Sequence, residues 1–275
     1  MPSEVKILAD SINPVGIRLT TFELSVHLFI WAEFLTHRVM SRNAQSNRAI
    51  PTQKIIESVS ADIAYPFHWG KNKAGMQADG ELPADVIGRA KAKWTEMALR
   101  ACEDAKYLAE LGLAKQVVNR ALAPYMYIKV ILSATTWKNF FDLRIDEAAQ
   151  PEIAIPAARM RDELEKSRPV ELGWGEWHMP LVWAEEWDIH PEEHLIKISA
   201  ARAARVSYLT HLGTRDLNKD VELHDKLLKD VHMSPFEHVA IADEQQRTLS
   251  NYHPSWMQYR KVIESHNPYI LMGVG

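Results

Sequence analysis

The spacing of hydrophobic residues predicts a protein built mainly of helices. The clearest pattern runs over 84–111, where apolar residues recur every three or four positions and Gly112 supplies a natural end. Similar spacing predicts further helices over 26–35, 115–123, 137–146, 152–167, 192–206 and 220–231. Strand-like patterns are confined to 16–24 and 235–242. The chain is therefore predicted to be a helix-rich mixture of α and β structure.

Two stretches between these elements predict irregular structure. Residues 66–80 are rich in glycine, lysine and aromatic side chains, which is typical of a loop, and the lysine-rich part at 71–77 is expected to act as a lid or to contact substrate. Residues 169–191 contain four tryptophans and several prolines, so we expect a packed, irregular connection. No long linker or internal repeat divides the chain, and a single domain over 1–275 is expected.

Composition restricts the class of protein. The hydrophobic fraction of 47% provides for a buried core, and no run approaches the ~20 apolar residues that span a bilayer. The net charge of −4 argues against a protein that grips duplex DNA, which usually needs a basic surface. One cysteine excludes an intrachain disulfide and, with no signal peptide apparent, favours the cytoplasm. We therefore expect neither a membrane nor a nucleic acid as partner.

The most polar segment follows the first apolar helix and reads THRVMSRNAQSNR over 36–48. His37, Arg38, Arg42 and Arg48 alternate there with hydroxyl and amide side chains. Guanidinium groups form charge-assisted, bidentate hydrogen bonds with phosphate, and hydroxyls and amides complete such a site. The alternative is a solvated turn after a buried helix, and composition alone does not decide between the two.

Two other parts of the chain carry polar residues suited to a site. NFFDLRIDEAAQPE occupies 139–152, and Arg144 there is either a ligand for an anionic group or an ordinary partner of neighbouring acidic residues. AARVSY at 203–208 precedes HMSPFEH at 232–238. A zinc site at His232 and His238 is disfavoured because their spacing does not suit a helical pair and no third ligand accompanies them. We expect no metal.

Together these segments resemble the flavin-dependent thymidylate synthases (the ThyX family). The run at 36–48 is similar to the family pattern R-H-R-x-x-S-x-N-x-x-S-x-R, 139–152 to N-F-L-x-L-R followed by A-Q-x-E, and 232–238 to H-x-[ST]-P-F-E-H. The chain departs from the family at Thr36, where an arginine is usual, at Ala44 and Ala49, and at Glu33, where a glutamine is common.

The resemblance implies an α+β fold with a small antiparallel sheet and a set of site residues. It implies catalytic roles for Arg144 and His232. It implies that FAD is bound by His37, Arg38, Asn43, Ser207, Ser234 and Glu237. It implies that the nucleotide is bound by Glu33, Ser46, Arg48, Arg120, Asn139 and Gln150.

The order of the segments differs from that of the family. AARVSY and H-x-S-P-F-E-H ordinarily precede R-H-R, whereas here they follow it, which a circular permutation explains if the termini are close. The segments that carry the resemblance lie within 16–51, 115–167 and 195–242. The stretches at 66–80 and 173–187 have no counterpart in ordinary members and resemble features of a divergent branch, such as a bacteriophage-type one, in which case the host cytoplasm is the expected location. The family also implies a homotetramer with shared active sites.

The implied reaction is transfer of a one-carbon unit from methylenetetrahydrofolate to C5 of dUMP, with FAD as cofactor and NADPH as reductant. Cys102 lies at an apolar position of the helix over 84–111, so it is expected in the core rather than as a nucleophile. Hydroxymethylation of dUMP or dCMP at C5 is the nearest alternative, since Glu33, Thr36 and Ala44 alter the pocket. A non-catalytic protein that binds flavin or nucleotide, or a helical protein unrelated to the family, is also compatible with the sequence.

Overall fold

The computed structural model describes residues 4–75, 78–213 and 215–266, with the side chain of Asp79 left out. The strands are β1 Val5–Ile12, β2 Arg18–His27, β3 Ser41–Ala44, β4 Gly70–Lys71, β5 Asp79–Glu81, β6 Tyr127–Ala134, β7 Val170–Glu171, β8 Trp177–His178, β9 Ala240–Ala242 and β10 Trp256–Gln258. The α-helices are α1 Trp31–Leu35, α2 Thr52–Ala61, α3 Ala84–Glu110, α4 Lys115–Val118, α5 Lys138–Arg144, α6 Pro151–Lys166, α7 Ala184–Trp187, α8 Glu192–Arg205, α9 Leu217–Lys229 and α10 Tyr259–His266. Short 3-10 helices occupy Leu28–Ile30, Asn119–Tyr125, Val206–Tyr208 and Ser234–Glu237.

A five-stranded sheet in the order β3-β6-β2-β1-β7 forms the centre of the fold. Its strands pair antiparallel except at the edge formed by β1 and β7, which run parallel. β2 and β6 pair along their whole common length, from Thr20 opposite Ala134 to His27 opposite Tyr127. Smaller sheets are formed by β10-β9-β8 and by β4-β5. The helix-rich α+β fold with an antiparallel sheet is confirmed.

Apolar side chains from both the sheet and the helices form the core. Phe22 and Leu24 of β2 pack with residues of β6, α5 and α6, including Phe140 and Ile153, in the largest buried cluster. A second cluster joins α2 to α3, and Cys102 lies within it with 6% of its surface exposed. A third holds α8 against the 3-10 helix that contains Phe236. The core position expected for Cys102 is confirmed.

Several predicted elements form, and others differ in type. The helix over 84–111 is α3, and those over 137–146, 152–167, 192–206 and 220–231 correspond to α5, α6, α8 and α9. The helix predicted over 26–35 is wrong at its start, because β2 continues to His27 in its pairing with β6. The predicted helix 115–123 is α4 followed by a 3-10 helix, and the predicted strand 235–242 begins as a 3-10 helix and only becomes β9 at Ala240. β1, β3 and β6 were not predicted.

The two irregular stretches have short elements of their own. Trp174 packs against the cluster that contains Trp256, and Trp177 meets Tyr259 edge to face at 5.7 Å, so packing accounts for both, as expected. Trp187, by contrast, is 49% exposed. The lysine-rich loop is described up to Gly75, and Met76 and Gln77 lie outside the described residues. No described helix combines the length and the hydropathy needed to cross a membrane.

Candidate functional site

The polar run at 36–48 crosses the edge of the main sheet as β3 and meets the segment at 203–208. The amide of Ser46 donates to the carbonyl of Ser207 at 3.1 Å, and the Ser207 hydroxyl donates to the carbonyl of Ala44 at 3.2 Å. Asn43 Nδ2 donates to the carbonyl of Ala203 at 3.4 Å. Two segments about 160 positions apart are thus joined by hydrogen bonds to the main chain.

A cavity of about 590 Å³ opens where these segments meet the 232–238 segment, and we call it the main cavity. Its walls include six of the predicted site residues: Asn43, Ser46, Arg48, Ser207, His232 and Ser234. Tyr208, Ala49 and the α9 residues Lys226 and Leu227 also line it, with Asp230 just beyond α9. Residues from the first and the last thirds of the chain therefore form one concave surface.

Charged and polar groups of the main cavity remain available to a ligand. Within the described part of the chain, neither Arg48 nor Lys226 has an ion-pair partner, and Asp230 is the acidic residue of the wall. Asn43 is only 8% exposed, and its buried Oδ1 has no hydrogen-bond partner among the residues that the structure describes. An unpaired buried amide oxygen is costly unless a ligand or water completes its hydrogen bonding. The cavity is suited to an anionic molecule that also carries hydrogen-bond donors.

A strained turn presents His232 to the main cavity. α9 ends at Lys229, and Val231 then adopts a left-handed conformation with φ of 55°. Its amide donates to the carbonyl of Leu228 and that of His232 donates to the carbonyl of Leu227, which closes the helix end. A β-branched residue in this region is unusual, and such strain is concentrated at functional sites.

Arg144, at the end of α5, makes a second cluster with Glu33, Thr36 and His37, which we call the Arg144 cluster. Its Nη1 donates to Glu33 Oε2 at 2.9 Å, its Nε to His37 Nε2 at 2.9 Å, and its Nη2 to Thr36 Oγ1 at 3.3 Å. The arginine is thus held by residues more than 100 positions earlier in the chain. The neighbouring acidic residues considered as its partners, such as Asp142, do not engage it; Asp142 pairs with Lys138.

His37 is neutral in this cluster. An arginine nitrogen only donates, so His37 Nε2 must accept and the ring proton lies on Nδ1. Burial lowers the pKa of His37, and the positive charges of Arg144 and Arg42 lower it further. The ring also meets Phe140 edge to face at 4.9 Å, which fixes its orientation. Arg42 Nη1 donates to the carbonyls of Leu35 and His37 and holds the turn before β3.

The remaining predicted residues lie neither in the main cavity nor in the Arg144 cluster. Glu237 forms an ion pair with Arg260 of α10 at 2.6 Å. Arg38, Arg120, Asn139 and Gln150 are exposed, and their side chains have no hydrogen bond or ion pair with another residue that the structure describes. Their assigned roles stay predictions. Lys226 and Asp230 were missed, although they lie two to six positions before HMSPFEH and are spaced one helical turn apart.

His232 and His238 occupy different surroundings. His232 is exposed at the main cavity, whereas His238 is fully buried and its Nδ1 is 2.7 Å from Ser133 Oγ. Among the described residues, no group of three His, Cys, Asp or Glu side chains is arranged to hold a metal ion.

The His238 contact belongs to a chain of buried polar side chains that the sequence did not predict. Ser133 bonds to Thr21 at 2.7 Å, Thr21 to His178 Nε2 at 2.8 Å, and His178 Nδ1 to Ser11 at 2.9 Å. Burial lowers the pKa of both His178 and His238 to about 3. Both rings are therefore neutral, and the chain of hydrogen bonds connects β1, β2 and β6 to the C-terminal part.

Known proteins share features with this chain. A family profile described as thymidylate synthase complementing protein matches residues 17–170. The flavin-dependent thymidylate synthases of Tropheryma whipplei strains TW08/27 and Twist are each 26% identical to it over 160 residues. That match includes 52% of this chain and 62% and 61% of theirs, so the chain spans about three-fifths of the length of these relatives.

Two solved structures are also similar to parts of the chain. The UMP/dUMP methylase PolB from Streptomyces cacaoi, bound with 5-Br UMP, has a TM-score of 0.49 and 15% identity over 60% of this chain and 89% of that one. The ThyX of Helicobacter pylori with FAD and dUMP has a TM-score of 0.37 and 18% identity over 53% of this chain and 66% of that one.

The family match includes the segments at 36–48 and 139–152 and extends over more than half of the chain. The third segment lies outside it in sequence but lines the main cavity together with the first. The chain is a divergent member of the thymidylate synthase complementing proteins, the family of the flavin-dependent thymidylate synthases.

Proposed function

We propose that this protein is a flavin-dependent enzyme that transfers a one-carbon unit from methylenetetrahydrofolate to C5 of dUMP. One observation carries the proposal: the 36–48 segment and the 203–238 segment, distant in sequence, converge on one polar cavity. Membership of the family and the names of the relatives from Tropheryma whipplei support the reaction class.

The residues present fit a nucleotide and a flavin. Arg48 and Ser46 supply a guanidinium and a hydroxyl for a nucleotide phosphate, and the unpaired Oδ1 of Asn43 offers a buried acceptor. Ser207, His232 and Ser234 would hold the flavin from the other wall. When bound, FAD would supply the redox and one-carbon relay chemistry, with NADPH as reductant.

Arg144 would stabilise negative charge on the pyrimidine ring as C5 becomes nucleophilic. Preorganised donors act strongly in such a role because they need no reorganisation during the reaction. Glu33, Thr36 and neutral His37 fix the orientation of the guanidinium before substrate arrives. His37 accepts one hydrogen bond, and because it is uncharged it does not repel the arginine.

We further propose that the active enzyme is a homotetramer with shared sites and that its segments are circularly permuted. The exposed side chains of Arg38, Arg120 and Asn139, which have no partner in the part of the chain that the structure describes, are suited to a site completed by a neighbouring protomer. Light scattering coupled to gel filtration tests the assembly. An active monomer would contradict shared sites.

The proposed reaction is tested on the purified protein. Its visible absorption spectrum is expected to show bound flavin, and anaerobic NADPH is expected to bleach it in the presence of dUMP. Adding methylenetetrahydrofolate should then give dTMP, identified by mass spectrometry. A protein that binds flavin but oxidises no NADPH would be a non-catalytic homologue, and one that takes up no flavin would end the proposal.

A second candidate function is C5 hydroxymethylation or action on dCMP, and Glu33 favours it. Its side chain is 28% exposed and only one of its carboxylate oxygens is bonded to Arg144. The other oxygen has no partner among the described residues and is able to accept a hydrogen bond from the exocyclic amine of cytosine. Comparing turnover of dUMP and dCMP by wild type and Glu33→Gln separates the candidates, since only dCMP use should depend on the carboxylate.

A further inference from the structure

A second cavity of about 310 Å³ adjoins the main cavity beside α2, and we call it the side cavity. Ala49 and Tyr208 line both cavities, so they form the boundary between them. The proposed flavin and nucleotide ligands use residues of the main cavity and leave the side cavity without an assigned occupant.

The walls of the side cavity are mainly apolar and are fixed by the core. Ile50 and Ile55 are 4% and 2% exposed, and with Met126 they belong to the buried cluster between α2 and α3. A cavity whose walls are core side chains is largely preformed, which reduces the entropic cost of binding. Its mainly apolar lining is suited to an apolar group.

A lysine lies among the mainly apolar residues of this wall, which also include the polar side chains of Gln45 and Thr210. Lys54, in the first turn of α2, lines the side cavity and has no ion-pair partner among the residues that the structure describes. Ser58, one turn further along the same helix, adds a hydroxyl. The mainly apolar walls, with an ammonium that has no ion-pair partner among the described residues, are suited to an apolar ligand that carries an anionic group.

Backbone strain gives an independent indication that this wall has a role in binding. Leu209 lines the side cavity and adopts a left-handed conformation with φ of 57° immediately after the 3-10 helix that contains Ser207. A non-glycine residue there costs on the order of 1 kcal/mol, which glycine would avoid. The side chain is nevertheless 45% exposed, so packing in the core does not explain why it is leucine.

We propose that the side cavity binds the aromatic, carboxylate-bearing arm of the one-carbon donor, with Lys54 pairing with a carboxylate. This inference rests on the proposed function, because the reacting end of the same molecule must lie in the main cavity. An adenine ring would also suit the apolar walls, so adenosine monophosphate serves as the competing ligand in the test.

The test uses p-aminobenzoylglutamate as the probe and calorimetric titration of the flavin-loaded full chain. Lys54→Met is expected to weaken probe binding about tenfold, as expected for loss of a charge-assisted hydrogen bond. The matched control is Lys106→Met, which removes an exposed lysine of α3 away from both cavities and should leave affinity unchanged. p-Aminobenzamide, which lacks the carboxylates, should bind wild type and Lys54→Met equally weakly.

The outcomes separate this inference from the proposed function. Equal probe affinity of wild type and Lys54→Met, or displacement of the probe by adenosine monophosphate with no Lys54 dependence, would overturn the side-cavity assignment while flavin uptake stayed intact. If the protein takes up no flavin, the same titration is run on the full chain as purified, and Lys54-dependent binding there would support the side cavity and refute the proposed reaction. Thermal unfolding of both variants verifies that each is folded.

Discussion

Arg144 uses all of its guanidinium nitrogens within the protein. Nε, Nη1 and Nη2 reach His37, Glu33 and Thr36, so the side chain is oriented by a neutral ring, a carboxylate and a hydroxyl. Glu33 supplies a carboxylate that binds the arginine, and Thr36 supplies a hydroxyl that brings no second positive charge beside it.

Replacing Arg144 is expected to change the titration of His37. In Arg144→Met the pKa of His37 should rise towards its ordinary value, because a neighbouring positive charge and a hydrogen bond to the neutral ring are both lost. NMR titration of the ring protons measures this shift. Arg161→Met, which removes an arginine of α6 that pairs with Asp162 and Glu165, is the control. A His37 pKa that stays the same or falls in Arg144→Met would contradict the cluster.

Cys102 is expected to have no part in the reaction. Its thiol is buried, and burial raises its pKa, so it is a poor nucleophile. Cys102→Ala is therefore expected to keep full turnover and to lose about 1 kcal/mol of unfolding free energy through the small cavity created. Arg144→Met should instead lower kcat about 100-fold. Loss of activity in Cys102→Ala with the fold intact would favour a cysteine-dependent reaction.

At the scale of elements, α8 is anchored by a buried arginine. Arg202 is 1% exposed and binds Asp220 of α9, Glu186 of α7 and the carbonyl of Leu181. One guanidinium therefore joins three helices beside the main cavity. Because α9 also supplies Lys226, the ion pair between Arg202 and Asp220 helps to position this part of the cavity wall.

Removing Arg202 is expected to be strongly destabilising. Among the described residues, Arg202→Met leaves the buried Asp220 with Arg205 as its one ion-pair partner, so we expect a loss of about 3 kcal/mol or more in urea unfolding. The double variant Arg202→Met/Asp220→Asn should recover part of that loss, since it removes the buried charge. A single variant within about 1 kcal/mol of wild type would show that the ion pairs contribute little.

The elements differ in how well local sequence predicts them. α3 was predicted because its apolar positions follow helical spacing over many turns. β6 has a nearly continuous apolar run because both of its faces are covered, so it lacks the alternating pattern of a half-exposed strand. β3 consists mainly of polar residues, which are typical of a loop. Both are strands because of their neighbours in the sheet, and long-range pairing leaves no local pattern.

The residues of the candidate site also differ in how well the sequence predicts them. Asn43, Ser46 and His232 were identified by their motifs, whereas the contact between Arg144 and Glu33 depends on a fold that joins residues 111 positions apart. Lys54 carries no motif, and only the cavity beside it indicates a role. Sequence therefore predicts which residue types a reaction needs but not the residues that orient them.

At the scale of the whole molecule, the hydrogen-bond chain from Ser11 through His178 and Thr21 to Ser133 and His238 unites the main sheet with the C-terminal part. Both histidines are buried, and His238 Nε2 has no partner among the described residues, so neither ring accommodates a second proton without cost. The stability of the whole molecule is therefore coupled to pH.

Acidification is expected to weaken the fold before most carboxylates titrate. His178 and His238 have pKa values of about 3 in the folded protein, below the ordinary value of 6.5, so the unfolded chain binds more protons as pH falls below 6.5. Their contribution is full above pH 6.5 and declines below it, by about 2 kcal/mol per histidine between pH 7 and 5. Burial lowers the pKa of His27, His37 and His224 in the same direction.

Urea unfolding at pH 7 and pH 5 measures this dependence. His238→Asn is expected to be less stable than wild type at pH 7 but to lose less on acidification, because one buried group no longer titrates. Equal midpoints for wild type at the two pH values would show that these histidines have the same pKa in the folded and the unfolded chain.

β3 connects the Arg144 cluster at one end with the main cavity at the other, and its pairing with β6 fixes its four residues in register. A strand rises ~3.3 Å per residue, so the length of β3 sets the distance between Arg144, which would hold the base, and Ser46 and Arg48, which would hold the phosphate. Substitutions along it can be absorbed, but insertion or deletion of one residue would reverse the direction of every side chain that follows. Homologues that keep the activity should therefore vary in composition here and stay constant in length.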